Sequence, residues 1–311
     1  FKEFCQYLLQ CENILYLCCN GTRIASHKNS VRVFLFLHRF LFLFHYIQIT
    51  LLMAKEPKSI TEQIELLESR EMQFRDISKA PHFLANISYY RLKGYWWEMQ
   101  EDFEDHLFLE ETFFEDVIDL YNFDRNFRLI VFNAIERIEI SLRTKLIYHM
   151  SLAYGSEWYL DKTHFHSERH FEDFVDKIKN DIEDSSEEFI VKHFINHPNE
   201  EPESWKALEI ITLNTLSKLY DNLKPQLPQK SKIANEFGLN SSKDLSSWLR
   251  TITFIRNLIA HHSRLWNRVM INKYSWPTNT REPLLSYYPN EERRKKIFPI
   301  IAAIIYINDR I

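Results

Sequence analysis

The sequence predicts an all-α protein. Gly is scarce at 4 of 311 residues, strand-like Val/Thr runs are few, and Leu, Ile and Phe recur at steps of three and four. Aromatic residues make up 15% of the chain, enough to fill a sizeable core. The formal net charge is −4, so a local positive field stands out more than uniform basicity would.

The beginning of the chain differs in kind from the rest. Cys5, Cys11, Cys18 and Cys19 all fall in the first 19 residues without C-x-x-C spacing. A disulfide framework through the fold is thereby excluded, zinc is disfavoured, and the remainder suits a cytoplasmic protein. The first methionine is Met53, and "MAKEPKSITEQIELL" reads like a soluble start. Residues 33 to 52, "VFLFLHRFLFLFHYIQITLL", are long enough to span a bilayer, yet His38, Arg39, His45 and Gln48 interrupt them. Three readings of 1–52 stay open: an over-extended reading frame, a membrane anchor, or a buried helix. The division expected is 1–52 as an extension or hydrophobic leader, 53–160 as an N-terminal helical lobe, 161–204 as an acidic connector and 205–311 as a C-terminal helical lobe.

After Met53, Ser59 or Thr61 caps a helix over about 59–72, and Pro81 opens another. "FLANISYYRLKGYWWEM" (83–99) sets Tyr and Trp beside Arg91 and Lys93, a pattern for stacking bases or, by default, for packing between helices. Residues 113–152 make the longest helical pattern. Leu120, Phe123, Phe127, Ile130, Ala134, Ile138, Leu142 and Leu146 form its apolar stripe, and Gly155 is placed to stop it. Arg125, Arg128, Arg137, Arg143 and Lys145 share the other face with Glu136 and Glu139, as on a solvated surface. Residues 167–203 hold twelve acids against four bases, the signature of a charged insertion or connector. A helix runs from Trp205 through "LEIITLNTLSKLYDNL" and stops near Pro225 and Pro228. Gly238 ends "SKIANEFGL", Ser241 or Ser242 caps the next helix, and "IFPIIAAIIYI" packs on the core.

The cap at Ser241 or Ser242 opens a helix predicted over about 244–268 and containing "IRNLIAHHSRLWNR". Between Leu245 and Arg281 stand Arg250, Arg256, Arg264, Arg268, Lys273 and Arg281, with no Asp or Glu. At 100° per residue, Ile252, Ile255, Ile259, His262 and Trp266 form an apolar stripe, while Arg250, Thr253, Asn257, His261, Arg264 and Arg268 form a polar one. His261 then stands one turn from Asn257, and His262 falls among core residues. Arg256 lies about 7.5 Å along the axis and 140° around from His261, so the pair needs a wide cleft or a second helix. An imidazole exchanges protons near neutrality, and guanidinium groups grip phosphate and stabilise charge on phosphorus. No carboxylate cluster is at hand for a hard divalent metal. Those pieces suit metal-free attack of an RNA 2′-hydroxyl on its own phosphodiester, a nucleophile DNA lacks. Phosphate binding without chemistry and a structural patch are the competing readings.

"RNLIAH" fits the R-x4-6-H signature of HEPN domains, many of them metal-independent ribonucleases. With "YYRLKGY" (89–95), "FDRNFRLIVFNAIERIEISLRTKL" (123–146), "LNTLSKLYDNLK" (213–224) and "RNLIAHHSRLWNR" (256–268), the chain resembles abortive-infection (Abi) proteins of the AbiD/AbiF type, bacterial phage-defence factors. The likeness spans about Ser59 to Trp276. It implies an all-α HEPN-like helical bundle with an additional N-terminal helical lobe, the motif lying in the C-terminal lobe. It implies Arg256 and His261 as catalytic pair, Asn257 as the polar partner and His262 as the alternative histidine. Arg250, Arg264 and Arg268 are expected to bind RNA. "RTKLIYH", with Arg143 and His149, is a candidate degenerate second motif beside its plainer reading as helix surface. The expected partners are RNA (tRNA, mRNA or phage RNA), a second copy in a homodimer, and an antitoxin or regulatory RNA. No cofactor and no metal are expected, nor a membrane unless 1–52 is genuine. A non-catalytic RNA-binding module is the alternative.

Overall fold

A computed structural model describes residues 56–270, 280, 290, 292 and 295–311. The hydrophobic run 33–52 and the four cysteines lie outside them. The chain divides into the units Phe1–Glu62 and Gln63–Ile311. The described residues form α-helices and short 3₁₀ turns with isolated β-bridges and no strand, which is the expected all-α class. Among them no helix is long and apolar enough to cross a membrane.

The helices are α1 Ile60–Glu68, α2 Ala80–Ile87, α3 Tyr89–Trp96, α4 Phe114–Tyr154, α5 Glu168–Glu183, α6 Glu188–Asn196, α7 Ser204–Ala207, α8 Leu213–Asn222, α9 Pro228–Glu236, α10 Ser242–Ala260 and α11 Ile297–Asn308. Local chemistry sets most ends. Ser59 and Glu62 form a reciprocal capping box, with N···O distances of 2.6 and 3.3 Å. Pro81 sits in the first turn of α2, where its missing N–H costs nothing. Ser88 caps α3, and Ser241 caps α10 by accepting from the Asp244 amide. Gly155, at φ 90°, terminates α4. Gly238 follows α9 at φ 79°, and a Cβ there would lie 2.4 Å from Arg310 Cδ. The Tyr306 hydroxyl donates to the Gly238 carbonyl at 2.8 Å, so α11 closes directly over that turn.

At 41 residues, α4 is about 60 Å long and forms the spine. Helices α3, α8, α9, α10 and α11 all pack on it. The core runs from Val131, Ile135, Ile138, Leu142, Leu146 and Met150 of α4 into α5, α8, α9, α10 and α11. The C-terminal apolar run packs on the core as expected, with Ile300, Ala303, Ile304 and Ile307 buried.

Four expectations need correction. The first half of the α4 stripe is only partly buried: Phe123 and Ile130 are 55% and 70% exposed, while Leu120 and Phe127 are half-buried. The buried line instead passes through Val117, Asp124, Arg128, Val131, Ile135, Ile138, Leu142 and Leu146. From Val117 to Leu146 that line drifts only about 20°, whereas the apolar stripe from Leu120 to Leu146 drifts about 80°. Two charged residues occupy the straighter line, so a search for apolar side chains alone misses it. Secondly, only part of the α4 cations form a solvated face. Arg125 and Arg137 are exposed and Arg143 pairs with Glu139 one turn back at 3.1 Å, but Arg128 is buried, Arg143 also holds a loop, and Lys145 pairs with Glu236 at 2.9 Å. Thirdly, the acidic segment is folded: α5 and α6 bury Phe174, Ile178, Ile182 and Ile190 in the shared core and turn their acids outward. Finally, the helix expected from Trp205 is broken between α7 and α8. Arg143 draws the Leu208 and Ile211 carbonyls out at 2.9 Å each, and Thr212 caps a new start.

Candidate functional site

The helix expected over 244–268 stops at Ala260. Its end has the bond pattern of a Schellman motif. The His262 amide donates to the Ile259 carbonyl and the Ser263 amide to the Leu258 carbonyl, both at 2.9 Å. His262 takes the left-handed position at φ 55°, usually reserved for Gly. His261 is the cap residue, its amide donating to the Asn257 carbonyl at 3.0 Å. The polar stripe therefore ends at His261, and Arg264 and Arg268 leave it. His262 is exposed rather than packed among core residues, because the turn swings it off the apolar face.

The reason for the turn lies on other helices. Asp124 of α4 is fully buried, and its Oδ1 accepts the Trp266 amide at 2.6 Å and the Leu265 amide at 3.1 Å. Its Oδ2 accepts the Tyr95 hydroxyl at 2.7 Å and a short ion-paired bond from Arg128. Both carboxylate oxygens are thus satisfied, as a buried charge requires. Burial, and then the neighbouring Asp124 carboxylate, push the Tyr95 phenol well above its ordinary range, which keeps it a donor. From α3, Arg91 donates to the His262 carbonyl at 2.7 Å. Arg264 reaches back to the Gly94 carbonyl, and Asn267 bonds Glu98. The segment 262–267 is clamped by α3 and α4, and two short stretches of sequence, "YYRLKGY" and "FDRNFR", supply most of the clamp. Tyr95 and Trp96 are buried, so the aromatic run there packs between helices, with Tyr90 left 86% exposed. Sequence reasoning missed Asp124, Arg128 and Tyr95. The available signal was an Asp and an Arg four residues apart on the buried line of α4.

The candidate residues do not gather in one cluster. Asn257 and His261 are exposed and one turn apart on α10, with no side-chain hydrogen bond between them. Arg256 is half-buried in an open groove of about 360 Å³ on α4, beside Phe132, Glu136, Glu139, Ile140 and Arg143. It forms no ion pair within 4 Å among the described residues, and neither Asn257 nor His261 lines that groove. Arg250 pairs with Asp221 of α8 at 2.9 Å. Arg264 serves the clamp, and Arg268 donates to the Arg264 carbonyl at 3.2 Å. Arg143 and His149 point to different partners. Arg143 bonds two loop carbonyls and Glu139, while His149 bonds Glu236 at 2.8 Å and is buried.

Chemically, the end of α10 offers an uncommitted imidazole to solvent, while Arg256 offers an unpaired guanidinium on a different side of the same helix. A proton-transfer group and an anion-stabilising group are both present, and the turn after the first is held by a clamp of hydrogen bonds. No curated protein and no solved structure matches the chain. A family model described as Abi-like protein matches residues 82–267. The match begins in α2 and ends at Asn267, so it takes in both the histidine-bearing turn and the residues of α3 and α4 that clamp it. The chain therefore belongs to the Abi-like protein family, the proteins of abortive infection against phage.

Proposed function

We propose that this chain is a HEPN-type, metal-independent endoribonuclease of phage defence. The observation that supports it best is the open imidazole of His261 beside Asn257, five residues from an unpaired Arg256. His261 takes a proton from the ribose 2′-hydroxyl or returns one to the leaving 5′-oxygen, an effect worth about 10²- to 10⁴-fold. Arg256 stabilises charge on the phosphorane oxygens. Asn257 orients the imidazole once RNA is bound. His262, whose carbonyl is tied to Arg91, is the lesser candidate.

Arg256 and His261 diverge by about 140° around α10, so we infer that one phosphate is reached by Arg256 of one copy and His261 of another. Exposed Leu129, Ile140 and Phe132 of α4 (57%, 52% and 37%) give that side of the molecule an apolar surface for a second copy.

Purified protein in EDTA should convert RNA to fragments ending in 2′,3′-cyclic phosphate, and His261→Ala should abolish the reaction. Mixing Arg256→Ala with His261→Ala should restore about a quarter of wild-type activity, since half the dimers are mixed and each has one intact composite site. A requirement for magnesium, or cleavage by His261→Ala alone, refutes the mechanism. Absence of recovery on mixing refutes the shared site.

The same divergence of Arg256 and His261 favours a second reading, RNA binding without cleavage. Under it, no cyclic-phosphate ends appear, and removing one phosphate-contacting arginine lowers the log–log salt slope by about 0.7 on single strands.

A further inference from the structure

A second cleft lies where α5 meets α8, closed at one end by residues 165–166 and bordered by Arg250 of α10. Its volume is about 460 Å³, within the roughly 300–1,000 Å³ of small-molecule sites. None of Arg256, Asn257 or His261 lines it. Phe165 and Phe174 form its apolar wall, and both belong to the core. His170, Lys218 and Asn214 bring polar side chains to the opening, all of them exposed. Lys218 forms no ion pair among the described residues.

The closed end is prebuilt. Asn222 is 5% exposed, and its side chain bonds the Ser167 backbone twice, accepting at 3.0 Å and donating at 3.1 Å. Its carbonyl takes the His166 amide at 3.0 Å and His166 Nδ1 at 3.0 Å. A carbonyl only accepts, so Nδ1 bears the hydrogen and Nε2 is left over for a ligand.

From these features we infer that the cleft binds one nucleoside monophosphate unit. The phenylalanine wall suits a flat ring, and Lys218, which has no ion pair among the described residues, suits one phosphate, with Arg250 held at the border by Asp221 at 2.9 Å. Asp173 and Asp221 also line the cleft and oppose a polyphosphate, while offering acceptors to ribose hydroxyls or base amino groups. Exposed Lys218, His170 and Asn214 at the opening give a ligand with a polar end partners that a purely apolar one would not use.

Two sources carry this chemistry, a free nucleotide or one residue of an RNA strand. Arg250, Asn257 and His261 fall within about 20° of one line along α10, spread over about 16 Å. A strand seated at Arg250 therefore runs on towards His261. The inference rests on the cleft alone and stands whether or not the chain cuts RNA.

The test uses the full chain bearing His261→Ala, so that binding is read without turnover. Isothermal titration with AMP, UMP, adenosine, inorganic phosphate and a five-nucleotide RNA measures each affinity. Either the monophosphates or the RNA should bind at least about tenfold tighter than adenosine or phosphate. Lys218→Glu should weaken that binding by about tenfold or more, and Lys192→Glu on α6 should leave it unchanged. Tighter binding of the pentanucleotide identifies a strand as the source, and tighter binding of the monophosphate identifies a free nucleotide. No saturable binding of either, or binding indifferent to both Lys218→Glu and His170→Ala, overturns the assignment. Absence of cyclic-phosphate products from the wild-type chain, with cleft binding intact, would instead count against the nuclease reading alone.

Discussion

Replacing Asp124 by Asn removes one charge from a pair whose members are 0% and 5% exposed. The substitution keeps the volume and leaves an oxygen to accept the Leu265 and Trp266 amides, so backbone anchoring is only partly lost. What is stranded is the Arg128 guanidinium, now without its counter-charge, and the Tyr95 hydroxyl, which loses its charged acceptor. Removing one member of a buried pair costs about 3–5 kcal/mol, and the retained acceptor puts this case near 3. For a domain of 150–250 residues about 2–4 °C of melting temperature follows each kcal/mol, which gives a fall of roughly 6–12 °C. Thermal unfolding followed by far-ultraviolet circular dichroism measures it. Adding Arg128→Met removes the stranded charge and should recover a substantial part of the loss. A fall below about 2 °C, or a double variant no better than the single, would refute the view that this pair holds the site-bearing turn.

Two further outcomes follow from the same geometry. His262→Gly relieves a left-handed backbone position that costs a non-glycine residue roughly 1–2 kcal/mol, offset in part by glycine's greater unfolded-state entropy. Stability should rise by about 0.5–1 kcal/mol, measured by urea unfolding, and a decrease would show that the imidazole makes a stabilising contact. Glu236 is the second: burial alone would raise its carboxyl, but bonds and charge from Lys145 and His149 outweigh that and hold it below its ordinary 4.5. Its contribution is therefore complete above pH 4.5 and lost as pH falls through the lower folded value. Glu236→Gln should flatten the acid side of the curve of melting temperature against pH, and an unchanged acid slope would contradict the assignment.

Much of the fold was legible because apolar spacing and end signals are local. Ser59, Pro81, Gly155 and Gly238 mark ends by their own chemistry, and the structure uses each of them as the sequence suggests. What was not legible depends on partners distant in sequence. Nothing between residues 244 and 268 says that the helix must stop at Ala260, since no Gly or Pro stands there. The stop is set by Asp124, more than 130 residues earlier, whose carboxylate takes the amides of Leu265 and Trp266. Periodicity likewise placed His262 in the core by continuing a helix that had already ended. Arg143 reads locally as the head of an R-x4-6-H frame, and only the fold shows its guanidinium bonded to the Leu208 and Ile211 carbonyls.

The clamp also explains why a histidine tolerates the backbone position that glycine would take. A glycine after the cap would loosen the turn in the unfolded chain and widen its choices in the folded one. Here the bonds that fix the turn come from outside it: Arg91 on the His262 carbonyl, Arg264 on the Gly94 carbonyl and Asp124 on two amides. Local strain of about 1 kcal/mol is small beside a buried ion pair and several charge-assisted hydrogen bonds. The position of His261 is thus set less by α10, which carries it, than by α3 and α4, which decide where α10 ends. A change at Arg91 or Asp124 moves the imidazole without touching it, so under the proposed nuclease reading variants there should impair RNA cleavage in proportion to lost protection of the Leu265 and Trp266 amides, while His261→Ala should impair it with that protection intact.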